Sequence, residues 1–344
     1  MRLSEFDYEL PPERIAQQPL AERDASRLLH LDRATGALED RQFRELPELL
    51  RPGDLLVANE SRVFPARLLG RVAGGGAAVE VLLLREEADG TWTALARPGR
   101  KFAAGVRVEF GPGLSAEVVA AGERGERTLR FKSGSATVAE RVAALGHVPL
   151  PPYIRRPDAA ADRERYQTVY ARATGSAAAP TAGLHFTPAV LGRLRDRGVQ
   201  WAAVTLHIGL GTFQPVEAEH IEEHSMHEER FELVAAAAAA LNAARRERRR
   251  IIAVGTTAAR VLETLAPAPG AEFEPAAGAT RLYLYPGKQF QVLDGLLTNF
   301  HAPRSSLLMM ISALAGVEPV RRAYQHALAQ GYRFLSYGDC MLIL

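Results

Sequence analysis

Near its middle the chain reads Ala179-Pro-Thr-Ala-Gly-Leu-His-Phe186, then a helix-like segment, then Val204-Thr-Leu-His-Ile-Gly-Leu-Gly-Thr-Phe-Gln-Pro-Val216. Each half ends an extended run in glycine, a hydroxyl residue and a histidine. Between them, Pro188 begins a predicted helix over 188–197, because proline fits the first helical turn. The order of loop, helix, strand and loop predicts an α/β unit that binds its ligand where the strands end.

The glycines of this stretch allow two interpretations. Gly209-Leu210-Gly211 begins a dinucleotide-binding pattern, but Gln214 stands where the third glycine belongs. In the functional interpretation the glycines let the backbone approach a ligand closely, while the two histidines exchange protons near neutral pH. In the alternative, Gly209 and Gly211 form only a tight turn, and His185 and His207 are buried core histidines.

Composition limits the class of protein. The chain has 344 residues, of which 47% are hydrophobic and 24% charged, which is typical of a soluble globular protein with room for two domains. A net charge of +2 does not by itself indicate a nucleic-acid partner. The single cysteine, Cys340, leaves no partner for an internal disulfide, and no apolar run approaches the ~20 residues that cross a bilayer. We therefore expect cytoplasmic localisation and no membrane contact.

The pattern changes between residues 68 and 132. Short β-rich runs are separated by glycine-rich or charged turns, and no helical pattern interrupts them. The runs are Val79–Leu84, Trp92–Ala96, Val106–Phe110, Ala116–Ala120 and Thr128–Phe131. This spacing predicts a small antiparallel β-barrel domain inserted into an α/β main domain. The predicted boundaries are 1–67 and 149–344 for the main domain and 68–148 for the insertion.

Polar residues also follow three other apolar strands, at Asn59–Arg67, Gly255–Thr257 and Thr298–His301. Such positions commonly carry ligand contacts in α/β sheets. The Gly-Thr-Thr sequence opens a helix, where backbone N–H groups and hydroxyls suit an anion or a ribose. Turn and helix capping are the alternatives at the first two sites, because asparagine, serine and threonine are ordinary caps.

A metal site is a weaker alternative. His220, His224 and His227 are spaced i, i+4 and i+7 among several glutamates, so on a helix their rings would share one face. The segment lacks a His-Glu-x-x-His motif, so we predict no metal. A zinc hydrolase using these histidines and a non-catalytic RNA-binding module are the rival functions. Chelators would inactivate the hydrolase, and the module would bind tRNA without turnover.

Motifs along nearly the whole chain resemble those of the S-adenosylmethionine:tRNA ribosyltransferase-isomerases of queuosine biosynthesis. They are Leu150–Ile154, Tyr166–Tyr170, Ala179–Phe186, Val204–His207 with Gly211–Pro215, Ala253–Thr257, Thr298–His301 and Ser336–Asp339. The resemblance implies transfer and isomerisation of the ribosyl group of S-adenosylmethionine onto 7-aminomethyl-7-deazaguanine in the tRNA anticodon. The products would be epoxyqueuosine-tRNA, adenine and methionine. The resemblance also implies a β-barrel inserted into an α/β domain.

Two departures from the family pattern stand out. Glu60 occupies a position where the family commonly has asparagine, and Ala302 occupies one where it has leucine. The implied partners are tRNA and S-adenosylmethionine, the latter as co-substrate with no tightly bound cofactor, and we expect a monomer.

The reaction requires a base that removes a ribose C5′ proton beside the sulfonium, and an acid that protonates adenine. The predicted catalytic candidates are His185, His207, His301 and Asp339, with Glu60 as a further carboxylate. The predicted substrate-binding residues are Asn59, Arg62, Arg67, Thr181, Gly183, Gly209, Gly211, Thr212, Gln214, Thr256, Thr257, Asn299 and Tyr337.

Overall fold

The computed structural model describes residues 1–209 and 216–344; at Arg124 it describes the backbone only. The strands are β1 (Arg27–Leu31), β2 (Leu38–Gln42), β3 (Leu55–Asn59), β4 (Ser61–Val63), β5 (Arg67–Val72), β6 (Ala78–Glu86), β7 (Trp92–Arg97), β8 (Arg107–Gly111), β9 (Leu114–Ala121), β10 (Glu126–Lys132), β11 (Ala173–Ser176), β12 (Gln200–Leu206), β13 (Glu229–Leu233), β14 (Ile251–Val254), β15 (Ala276–Thr280), β16 (Gly295–Asn299) and β17 (Cys340–Ile343). The α-helices are α1 (Leu46–Leu49), α2 (Val138–Leu145), α3 (Asp162–Arg165), α4 (Pro188–Asp196), α5 (Ala235–Arg246), α6 (Thr256–Thr264), α7 (Ser306–Ala315) and α8 (Val317–Ala329).

A mixed sheet forms the main domain. In the described part of the chain its strand order is β15-β13-β12-β3-β14-β16-β17-β1-β2. The central strands β12, β3, β14 and β16 are parallel, so their carboxyl ends lie along one edge. Strand β17 runs antiparallel to β16 and parallel to β1, which brings the residues preceding β17 and β1 to the same edge. The loops of six strands therefore meet there.

Helices cover both faces of this sheet. Successive residues of β3 alternate between the faces: Leu55 and Val57 join the core under α5 to α8, while Leu56 and Ala58 join the core under α1 and α4. Because a strand buried on both faces carries no polar alternation, β3 reads as a continuous apolar run. The observed α4 begins where the sequence predicts, with Pro188 in its first turn and the Thr187 hydroxyl accepting a hydrogen bond from the Val190 N–H.

The inserted domain is a closed barrel with the strand order β10-β7-β6-β5-β8-β9. All of these pairings are antiparallel, including that of β9 with β10, which closes the barrel. It has its own core, to which α2 adds Val142. The prediction of an α/β main domain with an inserted antiparallel β-barrel is confirmed.

The barrel joins the main domain at two neighbouring points. Arg67 and His147 exchange backbone hydrogen bonds of 3.2 and 2.8 Å, so the chain enters and leaves the barrel side by side. No helix within the described residues is long and apolar enough to span a membrane.

Candidate active site at the carboxyl edge of the sheet

A cavity of about 170 Å³ lies where the carboxyl ends of β14 and β16 meet the short 3-10 turn at Thr181–His185. Its wall is built from neutral side chains and backbone. Five residues predicted from the sequence line it: Thr181, Thr256, Thr257, Asn299 and His301. The topology brings them together because β14 and β16 are parallel neighbours whose following loops turn to the same side.

The amino terminus of α6 forms one side of this cavity. Gly255 precedes the helix with φ 87°, a conformation that favours glycine, and it has no side chain to cap the first turn. The first N–H groups of a helix have no acceptor within it, so they are available to a ligand. Thr257 lines the cavity, and its Oγ1 is buried with no hydrogen-bond partner among the described residues.

His185 lies behind the cavity wall. Its Nε2 is 3.1 Å from Asn299 Oδ1, and its Nδ1 is 2.7 Å from Ser26 Oγ. Because the amide oxygen of Asn299 can only accept, Nε2 carries the proton and Nδ1 accepts from the serine hydroxyl. Burial lowers the pKa of His185 to about 4, so the ring is neutral at pH 7. Both ring nitrogens are thus already used by protein contacts.

His301 lines the cavity itself. Its Nε2 is 2.8 Å from Thr298 Oγ1, and its backbone N–H donates to the Tyr324 hydroxyl at 2.9 Å. Burial lowers the pKa of His301 to about 3, which leaves this ring neutral as well. Among the described residues, the wall therefore presents no charged side chain toward the cavity.

A much larger cleft of about 970 Å³ separates the barrel from the main domain. The main domain contributes Arg62, His207 and Gly209 to its lining, and the barrel contributes Trp92 and Leu84. Ile208 lines both the cleft and the smaller cavity. The two spaces are therefore neighbours on either side of one residue.

His207 is the predicted histidine that faces this cleft. Its ring packs over Gly175, where a Cβ atom would lie 2.9 Å from two ring atoms. Desolvation lowers its pKa below the ordinary 6.5, partly opposed by the nearby carboxylate of Glu232. Its Nδ1 is buried without a partner within residues 1–209 and 216–344. A neutral imidazole with an unused nitrogen beside a cleft is suited to accept a proton.

Gly209 is held by a buried ion pair. Glu229 accepts a hydrogen bond from the Gly209 N–H at 3.1 Å and pairs with the guanidinium of Arg260 on α6. The carboxylate therefore connects the loop after β12 with the helix that borders the cavity. Gly211, Thr212 and Gln214, also predicted to bind substrate, lie outside the described residues.

Other predicted residues lie away from both spaces and make contacts within the protein. Asn59 is fully buried, where its amide donates to the Leu206 carbonyl and accepts from the N–H groups of Ser61 and Leu206. Gly183 allows close packing, since a Cβ there would lie 2.1 Å from the Tyr170 hydroxyl. These two positions maintain the loop geometry around the site.

The remaining three are bound to charged or backbone groups. Arg67 pairs with Glu80 on the barrel at 2.8 Å. The Tyr337 hydroxyl donates to Asp162 at 2.8 Å. Asp339 accepts from the backbone N–H groups of Arg27 and Arg333 at 3.0 and 2.8 Å, which connects the segments preceding β1 and β17.

The histidines of the metal alternative do not share a helix. Residues Ile221–Glu223 form a 3-10 turn, and β13 begins at Glu229, so the i, i+4 and i+7 spacing does not place the three histidines on one face of an α-helix. His224 packs edge-on against Tyr283. Within the described residues no group of three or more His, Cys, Asp or Glu side chains could hold a metal ion.

Two groups at the site were not predicted. Tyr153 and Ser336 line the cavity and bond to each other through their side-chain oxygens at 2.6 Å. Both belong to motifs that carry the family resemblance, and Ser336 follows a predicted apolar strand, but neither was among the predicted site residues. The barrel residues facing the cleft carry no local signal, because only the docking of the two domains makes them part of a site.

The comparisons with known proteins extend over the whole chain. A family model with the description queuosine biosynthesis protein matches residues 3–343. The chain belongs to this family. The S-adenosylmethionine:tRNA ribosyltransferase-isomerase of Moorella thermoacetica is 53% identical over 345 residues, and that of Solibacter usitatus is 52% identical over 362, each with 100% of both chains covered. The predicted family and enzyme class are confirmed.

A solved structure agrees with this relationship. The crystal structure of S-adenosylmethionine tRNA ribosyltransferase from Thermotoga maritima is 41% identical, covers 99% of this chain and 100% of its own, and superposes with a TM-score of 0.57. The enzyme therefore shares both sequence and fold with a tRNA-modifying transferase.

Proposed function

We propose that the enzyme transfers the ribosyl group of S-adenosylmethionine to 7-aminomethyl-7-deazaguanine in a tRNA anticodon and isomerises it to the epoxyqueuosine side chain. Adenine and methionine are the other products. The observation that carries this proposal is the 53% identity over full length with a protein named for that transfer.

The two neighbouring spaces support this choice of substrates. Binding sites for whole small molecules usually measure ~300–1,000 Å³. The cleft of about 970 Å³ is large enough for a nucleoside and an extruded tRNA base, whereas the cavity of about 170 Å³ suits only one end of a ligand. In our proposal the adenosine and the tRNA base meet in the cleft, and the methionine end of S-adenosylmethionine enters the cavity past Ile208.

His207 is the base in this proposal. The positive sulfur of S-adenosylmethionine makes the adjacent C5′–H acidic, and the electron pair left on that carbon drives the loss of adenine. The support for His207 is its neutral state, its unused buried Nδ1 and its position in the cleft lining. His185 is a positioning residue that holds Asn299, because both of its ring nitrogens are occupied.

The remaining proposals concern partners. S-adenosylmethionine binds as a co-substrate; its ribosyl group is transferred to the tRNA and its adenine and methionine are released, so no resident cofactor is required. Arg62 in the cleft lining and the arginines of the barrel are the proposed tRNA contacts. We propose that the enzyme acts as a cytoplasmic monomer.

The test is incubation of the enzyme with S-adenosylmethionine and tRNA carrying the aminomethyl base. We expect adenine and methionine in equal amounts, each dependent on the modified tRNA. The matched control is the same tRNA with guanine at that position. Because guanine offers no aminomethyl group, no adenine should be released from S-adenosylmethionine. Formation of S-adenosylhomocysteine in place of adenine would identify methyl transfer and refute the proposal.

A further inference from the structure

The wall of the cavity contains a fully buried hydroxyl that the described part of the protein does not use. Thr257 is 8% exposed, and its Oγ1 has no hydrogen-bond partner among the described residues. Buried hydroxyls are rarely left without a partner, because losing the bond to water is costly. Other polar side chains of the wall do bond within the protein; they are Tyr153, Thr298, Asn299, His301, Ser305 and Ser336.

The same point is the amino terminus of a nine-residue helix. Gly255 gives α6 no side-chain cap, and Gly255, Thr256 and Thr257 all line the cavity. The free N–H groups and the helix dipole give this end a partial positive charge, which favours an anion. The helix end and the threonine hydroxyl thus provide donors at one place.

The cavity offers no other positive group. Its lining contains no arginine, lysine, aspartate or glutamate in the described part of the chain. An anion entering here would therefore be recognised by donors of α6 and not by an ion pair. The volume of about 170 Å³ limits that anion to a small group such as a carboxylate at the end of a longer ligand.

We infer that the amino terminus of α6, with the Thr257 hydroxyl, binds the α-carboxylate of the methionine portion of S-adenosylmethionine. This inference rests on the proposed function, which supplies the ligand. With the carboxylate at α6, the sulfonium and the ribose extend past Ile208 toward His207 in the cleft. The cavity then fixes the end of the co-substrate that does not react.

The test compares Thr257→Val with the conservative variant Thr257→Ser. Binding of S-adenosylmethionine and of its decarboxylated analogue is measured by titration calorimetry, with the enzyme alone and with the enzyme saturated with tRNA. Valine has the shape of threonine without the hydroxyl, so we expect S-adenosylmethionine to bind about 10- to 100-fold more weakly, as for the loss of a hydrogen bond to a charged group. Binding of the decarboxylated analogue should change less than about twofold, and Thr257→Ser should retain most of the affinity.

The inference would be overturned if Thr257→Val weakened the binding of both ligands equally or weakened neither. It would also be overturned if the wild-type enzyme bound the decarboxylated analogue as tightly as S-adenosylmethionine, or if the serine and valine variants lost equal affinity. Thermal unfolding of the free enzyme is the control for folding. Because Oγ1 has no partner there, Thr257→Val should melt at or above the wild-type temperature. Adenine release tests the proposed reaction separately: selective loss of carboxylate binding without adenine release would refute the reaction and retain this site.

Discussion

Two buried neutral histidines should make the main domain sensitive to acid. The pKa of His301 is lowered by burial to about 3 and that of His185 to about 4, against an ordinary value of 6.5 in the unfolded chain. Above pH 6.5 both states are neutral, and the histidines make no pH-dependent contribution. As the pH falls below 6.5, the two histidines are protonated in the unfolded chain but stay neutral in the folded chain, so stability is lost.

The magnitude follows from the size of the shifts. Each histidine reduces the free energy of unfolding by about 1.4 kcal/mol per pH unit below 6.5, until the pH reaches its folded pKa. At pH 5 this amounts to about 2 kcal/mol for each ring and about 4 kcal/mol for both. A loss of this size is a large part of the ~5–15 kcal/mol that stabilises a typical domain.

The assay is urea unfolding of wild type and His301→Gln at pH 7.5 and pH 5.0. The fluorescence of Trp201 on β12 reports on the main domain, and the substitution Trp92→Phe removes the tryptophan signal of the barrel. We expect the acid-induced loss to be about 2 kcal/mol smaller in His301→Gln, because glutamine cannot be protonated. His220→Gln, at an exposed position, is the matched control. An equal acid-induced loss in His301→Gln and wild type would refute the reasoning.

Three further predictions follow from individual contacts. Gly183→Ala should cost about 1–3 kcal/mol or more of stability, because the new Cβ would lie 2.1 Å from the Tyr170 hydroxyl, and adding Tyr170→Phe should recover part of it in thermal melts; no recovery would contradict the packing argument. Glu229→Gln should cost about 3 kcal/mol by leaving Arg260 uncompensated, whereas the double variant with Arg260→Met should regain most of it in urea unfolding. His207→Gln should lower turnover by ~10²–10⁴ with the melting temperature within about 2 °C of wild type, and a low melting point with normal turnover would make it a core residue.

Most of the fold could be predicted from the sequence, because strands, helices and turns are each indicated by neighbouring residues. The runs separated by turns at 79–131 predicted the barrel strands, and the burial alternation within them matches one closed core. The predicted runs do not include the first barrel strand, β5, because its start at Arg67 belongs to the polar stretch Asn59–Arg67 and no turn separates the two. The spacing of His220, His224 and His227 indicated a helix only by position, and the segment offers just one buried residue, Ile221, for such a helix to pack.

The site could be predicted less well, because polar residues lie at strand ends either to hold the fold together or to bind a ligand. Thr257 and Asp339 both sit at the carboxyl edge of the sheet, and their sequence settings look alike. Asp339 accepts a hydrogen bond from the Arg27 N–H, 312 positions away, while Thr257 Oγ1 has no partner in the part of the chain that the structure describes. Only the folded chain distinguishes a side chain that closes the structure from one that remains available to a ligand.

The closed barrel separates two kinds of evolutionary constraint. Its interior is filled by its own residues, and the chain enters and leaves it where Arg67 and His147 pair, so substitutions on its surface away from the cleft leave the carboxyl edge of the main sheet unchanged. In our proposal the barrel contacts tRNA, so relatives with different tRNAs can vary this outer surface without changing the proposed catalytic centre. Sequence variation should be greatest on that surface and smaller around α6, where we infer that one small co-substrate binds.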